Sequence, residues 1–133
     1  MIIADTNLIA YLLIDGDFTP AARAVWLRDP EWRMPPLWRA EFLNVLWVSV
    51  RAGVLDEARA LTAWRRATAL FQKAEIEPGG EEVLTAAIRD GLSAYDAHFV
   101  VLAERLGVKL VTSDKVLLKA RPDLAVGMQQ FVV

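Results

Sequence analysis

Four carboxylates in this 133-residue chain stand where an ordinary structural role is hard to complete. Asp5 ends the apolar run MIIAD and is followed by Thr6 and Asn7 before the chain turns apolar again. Asp114 repeats that arrangement, because VKLVT (108–112) runs into Ser113 and Asp114. Glu41 interrupts the apolar stretch 36–50, and Asp96 follows Ser93-Ala94-Tyr95. Residues of this kind can cap helices, since an N-cap side chain accepts a bond from a free amide of the first turn. Ser93 with an acid three residues on has the form of a capping box. One cap per helix is enough, however, and residues 5–7 offer three. Thr6 or Asn7 holding the helix start would leave the Asp5 carboxylate free. Glu41 is harder to absorb. On a helix over 37–52 its neighbours at i−4, i+4 and i+7 are Leu37, Val45 and Val48. A carboxylate in such an apolar stripe needs a cation, an arginine partner or a solvated rim.

The elements that must position these acids alternate between extended and helical. Short strands are expected at 1–5, 32–36, 73–78, 108–112 and near 127–133. Helices are expected at 8–13, 19–29, 37–52, 56–73, 81–92, 94–107 and 114–120. Thr19 with Pro20 is a standard helix start, and Gly107 closes the helix over 94–107. This alternation predicts an α/β chain, three layers in α/β/α order around a mostly parallel sheet of about five strands, forming a single domain over 1–133. In such a sheet ligands sit beyond the carboxyl ends of the strands. Asp5 and Asp114 close two strands at that edge, and Glu41 and Asp96 begin helices there, so the four acids are expected to converge. A cluster of carboxylates repels itself unless cations hold it. All-oxygen donors point to Mg²⁺ or Mn²⁺, and Ca²⁺ fits less well because no loop supplies many carbonyl ligands.

The stretches IIADTN, RAEF, SAYDAHFVVLAERLG and LVTSD, in this order and spacing, resemble the four acidic motifs of the PIN-domain ribonucleases. The length and the SAYDA and LVTSD motifs are similar, more narrowly, to the VapC-type toxins of toxin–antitoxin pairs. The resemblance covers essentially the whole chain. It implies Asp5, Glu41, Asp96 and Asp114 as the metal-binding catalytic acids, with Thr6 or Asn7 and Thr112 and Ser113 as supporting polar groups. It also implies a metal-dependent endoribonuclease leaving a 5′-phosphate and a 3′-hydroxyl, a small antitoxin as partner, and a homodimer. Ala94 departs from the family's pattern, where a second aromatic often precedes the tyrosine. That change bears on packing or substrate contact more than on metal binding.

The expected chemistry is hydrolysis of an RNA phosphodiester assisted by a cation that lowers the pKa of water and offsets phosphate charge. Asp5 and Asp96 are the first choice of direct ligands, then Asp114, with Glu41 serving a second metal or orienting water. No cysteine is present and His98 is the only histidine, so a histidine-pair mechanism is excluded. His98 lies about 200° around its helix from Asp96 and reads as a packed or surface residue. Arg39, Lys115, Lys119 and Arg121 lie near the motifs in sequence and are the candidate phosphate contacts, the alternative for each being solvated surface charge.

Composition narrows the remaining classes. A hydrophobic fraction of 55% builds a rich core and leaves apolar surface for a partner. The five tryptophans, all between 26 and 64, are expected mainly in the core. Net charge of −2 and a pI near 5.4 argue against broad electrostatic binding of nucleic acid. Absence of cysteine fits a reducing cytoplasm, and neither an export signal nor a membrane span is expected. A receiver-like phosphoacceptor domain would need an acidic pair after the first strand and an aspartate ending a central one; neither is present. A PIN-like binding module without catalysis is the non-enzyme alternative, disfavoured by the retention of all four acids.

Overall fold

A computed structural model describes all 133 residues. Its order is β1 (Ile2–Ala4), α1 (Thr6–Leu13), α2 (Thr19–Arg28), β2 (Trp32–Arg33), α3 (Trp38–Arg51), α4 (Glu57–Phe71), α5 (Gly80–Asp90), α6 (Ala94–Leu106), β3 (Leu110–Val111), α7 (Lys115–Ala120), β4 (Ala125–Val126) and α8 (Met128–Phe131). The sheet runs β2-β1-β3-β4 with every pairing parallel. Ile3 is registered with Arg33 on one side and Leu110 on the other. Parallel pairing needs a crossover between neighbours, and the helices supply it. All carboxyl ends therefore face one edge.

β1 is buried at each of its three residues, so both of its faces are covered, as expected for a central parallel strand. On one side α6 packs against β1 and β3, with α5 against α6. The other helical group is α1 with α2, α3 and α4. A 25-residue cluster joins the sheet to both groups. Within it Trp38 is fully buried, its ring tilted against Phe42 and Trp64 and edge-on to Phe71. The Trp38 Nε1–H donates to Glu75 at 2.8 Å, so the indole is buried without an orphaned donor. This anchor sets the start of α3, one turn before Glu41.

Two expected strands differ. The run 73–78 forms a single parallel bridge, Met34 with Glu75, so the sheet has four strands. At the C-terminus the strand is Ala125–Val126, and most of 127–133 is helical. Met128 and Phe131 turn inward at i and i+3, and that spacing outweighs the β-branched pair that ends the chain. α2 begins at Thr19 as expected, with Phe18 rather than Thr19 at its N-cap position. Gly107 takes the left-handed conformation at φ +66° that ends α6 and returns the chain to β3. No helix is long and apolar enough to cross a membrane.

Candidate metal centre at the carboxyl edge

Asp5 leaves β1 in an extended conformation, its N–H still bonded to Val111 O at 3.2 Å. One carboxylate oxygen accepts from Thr6 N at 2.7 Å and the other from the Thr112 hydroxyl at 2.6 Å. Thr112 is fully buried at the end of β3, and its Oγ1 also accepts from Asp114 N at 2.9 Å. Thr6 donates its hydroxyl to Glu41 at 2.7 Å, which ties the first turn of α1 to the first turn of α3. The helix start of α1 is thus capped by Asp5 itself, and Thr6 is occupied elsewhere. Asp114 likewise caps α7, accepting from Val116 N at 2.8 Å. The expectation that neighbours would relieve both aspartates of capping does not hold: each caps with one oxygen. Ser93 caps α6 as expected, accepting from Asp96 N at 3.1 Å.

Asp5, Glu41, Asp96 and Asp114 all line one open cleft of about 600 Å³. Thr6 and Asn7 line it with them. Ser113 does not; its hydroxyl is 3.1 Å from the Tyr11 hydroxyl on the far side of the strand end. Two further lining residues had no role assigned from the sequence. Asn44 lies three residues beyond Glu41 on the same face of α3, and Tyr95 precedes Asp96 with 63% of its surface exposed. Polar Asn44 in an apolar helix at i+3 from an acid was the available signal.

None of the four acids has a lysine or arginine within salt-bridge distance, whereas seven other acids do. The consequence appears in their proton affinities. Burial pushes Asp5 up to about 6, with the Glu41 and Asp96 charges adding to it and the bonds from Thr112 and Thr6 opposing it. Glu41 is raised by burial and by Asp96, against the Thr6 hydrogen bond and the nearby His98 charge. Asp96 is raised by burial and by Asp114. No three of the carboxylates stand close enough together to form a metal-holding group. The donor set is all oxygen, partly preorganised by two threonines, and deficient in positive charge. It fits a hard divalent cation.

Arg39 is clamped by both oxygens of Glu75 at 2.7 and 3.0 Å. Arg121 is bound to Asp90, Glu104 and Asp123. Lys115 and Lys119 on α7 are exposed and make no ion pair, so of the four candidate phosphate contacts these two are uncommitted.

A family profile described as PIN domain matches residues 2–121, and the chain belongs to that family. Ribonuclease VapC3 of Pyrobaculum aerophilum is 28% identical over 126 residues, 92% of this chain and 96% of that one. Ribonuclease VapC9 of Mycobacterium tuberculosis is 34% identical over 122 residues, 86% of each chain, and the chain groups with these VapC ribonucleases. The crystal structure of PAE2754 from Pyrobaculum aerophilum superposes with a TM-score of 0.77 at 27% identity, covering 98% of this chain and 85% of that one.

Proposed function

We propose that the protein is a divalent-metal-dependent endoribonuclease of the VapC type, the toxin of a toxin–antitoxin pair, with Mg²⁺ or Mn²⁺ held by Asp5, Asp96 and Asp114 and with Glu41 beside them. The observation that carries this reading is the cleft of four carboxylates with no basic partner, three of them raised in proton affinity by burial and by one another. A cation bound there lowers the pKa of water and offsets charge on the phosphate and leaving oxygen.

The chain's own groups supply the rest. Thr112 and the Thr6 amide fix the Asp5 carboxylate in one orientation. The Thr6 hydroxyl holds one Glu41 oxygen, leaving the other to orient water or accept its proton. Lys115 and Lys119 are the cations available to the RNA backbone beside Asp114. A groove between α3 and α4 lined by Leu43, Trp47, Val50, Leu61 and Trp64 is apolar and open, the kind of surface a protein partner such as an antitoxin or a second copy covers.

The test is cleavage of a closed circular single-stranded RNA, which has no end for an exonuclease. Cutting by the wild-type chain with Mg²⁺ or Mn²⁺, its loss with chelator, and its loss in Asp5→Asn and Asp96→Asn are expected. Equal cutting by wild type and both variants would refute the site. An intact circle under every metal condition would favour a catalytically silent module.

A further inference from the structure

A second recess opens along the same carboxyl edge, one strand over. It holds about 270 Å³ and is bordered by Phe18, Ser113, Gly127, Met128, Gln129 and Gln130 among others. Thr112 also borders it, and that same residue donates its hydroxyl to Asp5 at 2.6 Å. The hydrogen-bonded pair Thr112 and Asp5 therefore stands between the recess and the acidic cleft. Ser113 and Asp114, consecutive in the chain, face the two sides.

No charged residue lines this recess. What lines it is an aromatic face, two amides and a hydroxyl. Phe18 is 56% exposed, an unusual state for a phenylalanine in a small fold, and it does not hang free. Its ring packs on Tyr11 with centroids 4.9 Å apart, and the Tyr11 hydroxyl is bonded to Ser113, so the ring is fixed relative to the strand end. The Gln130 amide oxygen sits 3.3 Å from where a β-carbon on Gly127 would stand, folded over its own helix start. Gln129 is exposed and makes no hydrogen bond within the chain, leaving a donor and an acceptor side by side. A flat uncharged ring system with donor and acceptor edges is the ligand these groups match. Single-stranded RNA presents that ligand at every nucleotide, recognised by stacking on an aromatic and by hydrogen bonds to the base edge.

We infer that the Phe18–Gln129 recess receives the base of a nucleotide next to the one whose phosphate sits at the carboxylates, and that Gln129 sets which base is preferred. The inference rests on the ribonuclease reading and adds a specificity pocket to it. Phe18 supplies a stacking face tolerant of any base, and the amide supplies discrimination.

The experiment uses the Asp96→Asn chain with Mg²⁺, so that probes survive, and fluorescein-labelled octamers of oligo(A), oligo(C) and oligo(U). Anisotropy is expected to show unequal affinities for the three. Adding Phe18→Ala is expected to weaken all three by about five- to hundredfold, the range of one lost base–aromatic stack. Phe18→Leu, which keeps apolar contact with Tyr11 without a stacking face, is expected to weaken them in the same direction. Adding Gln129→Ala is expected to compress the spread among them to within about threefold, as loss of one base-edge contact would. Affinities and ranking unchanged in all three variants would overturn the recess. If the otherwise wild-type chain still cuts circular RNA in that case, the nuclease reading stands alone. If no form of the chain cuts or binds RNA, both fall.

Discussion

Two acidic regions of this molecule are built from the same residue types and have opposite electrostatics. At the outer edge of α5 and α6, Asp90 is gripped by Arg89 through two bonds of 2.8 Å and by Arg121 at 3.1 Å. Glu104 shares both arginines, and Asp123 takes the remaining face of Arg121. Hydrogen bonding to Arg89 holds the Asp90 carboxyl below its ordinary range. At the carboxyl edge Asp5 is buried and has no arginine, and its carboxyl is pushed up to about 6. Burial sets the sign at Asp5, and hydrogen bonding to arginine sets it at Asp90. The first region carries its own cations; the second has only threonines and amides around its carboxylates, and on the proposed reading a divalent cation supplies the balancing charge. Destabilised carboxylate clusters of this kind are characteristic of sites selected for chemistry over stability.

Breaking the second region has the largest effect on function. Asp5→Asn or Asp96→Asn is expected to lower Mg²⁺-dependent RNA cleavage by at least about a hundredfold, more than the loss of a residue that merely orients a ligand, measured as initial rates. The pH dependence of folding separates the regions next. The folded Asp5 binds its proton more tightly than the unfolded one, so its contribution favours the fold fully below its ordinary range and is lost as pH rises through about 6. With chelator present, urea denaturation is expected to show stability falling by about 2–3 kcal/mol between pH 4 and 8, and Asp5→Asn is expected to flatten that fall. The α5–α6 network acts in the other direction, favouring the fold at neutral pH and losing that contribution only as acid protonates Asp90.

Arg121→Ala is expected to cost about 1–3 kcal/mol of folding free energy by urea denaturation, because it leaves a shielded Asp90 and a half-exposed Glu104 with one arginine between them. Thr6→Val is the smallest change. It removes the 2.7 Å bond that favours ionised Glu41, so the acid limb of the pH–rate profile is expected to move upward, with a loss of about three- to tenfold at neutral pH.

Much of this arrangement is legible before any coordinates. Ser93 and Gly107 mark helix ends where they fall, because capping chemistry is local. That Asp5, Glu41, Asp96 and Asp114 line one cleft follows from parallel topology, which brings strand ends and helix starts to one edge. What was hidden depends on pairs distant in the chain. Arg39 and Arg121 stand beside acidic motifs in sequence, but Glu75, 36 residues from Arg39, claims the first, and Asp90, 31 residues from Arg121, joins the nearby Asp123 in claiming the second. Which of Asp5, Thr6 and Asn7 caps α1 is likewise decided by Glu41, 35 residues from Thr6, which takes the threonine hydroxyl. Ser113 and Thr112 look equivalent as neighbours, yet alternate sides of an extended segment send one toward Tyr11 and the other to Asp5. Burial of the tryptophans is mixed: Trp32 and Trp38 are in the core, while Trp47 is 58% exposed on the apolar groove.

The proposed nuclease reading requires the carboxyl-edge cleft to bind a divalent cation. Its most direct test is a Mn²⁺ titration at pH 7.5 followed by calorimetry and by thermal unfolding, on the wild-type chain, Asp5→Asn/Asp96→Asn and Arg121→Ala. Saturable binding that raises the melting temperature of wild type and Arg121→Ala, and is absent from the Asp5→Asn/Asp96→Asn double variant, is the expected result. Equal binding and equal stabilisation in all three would contradict it.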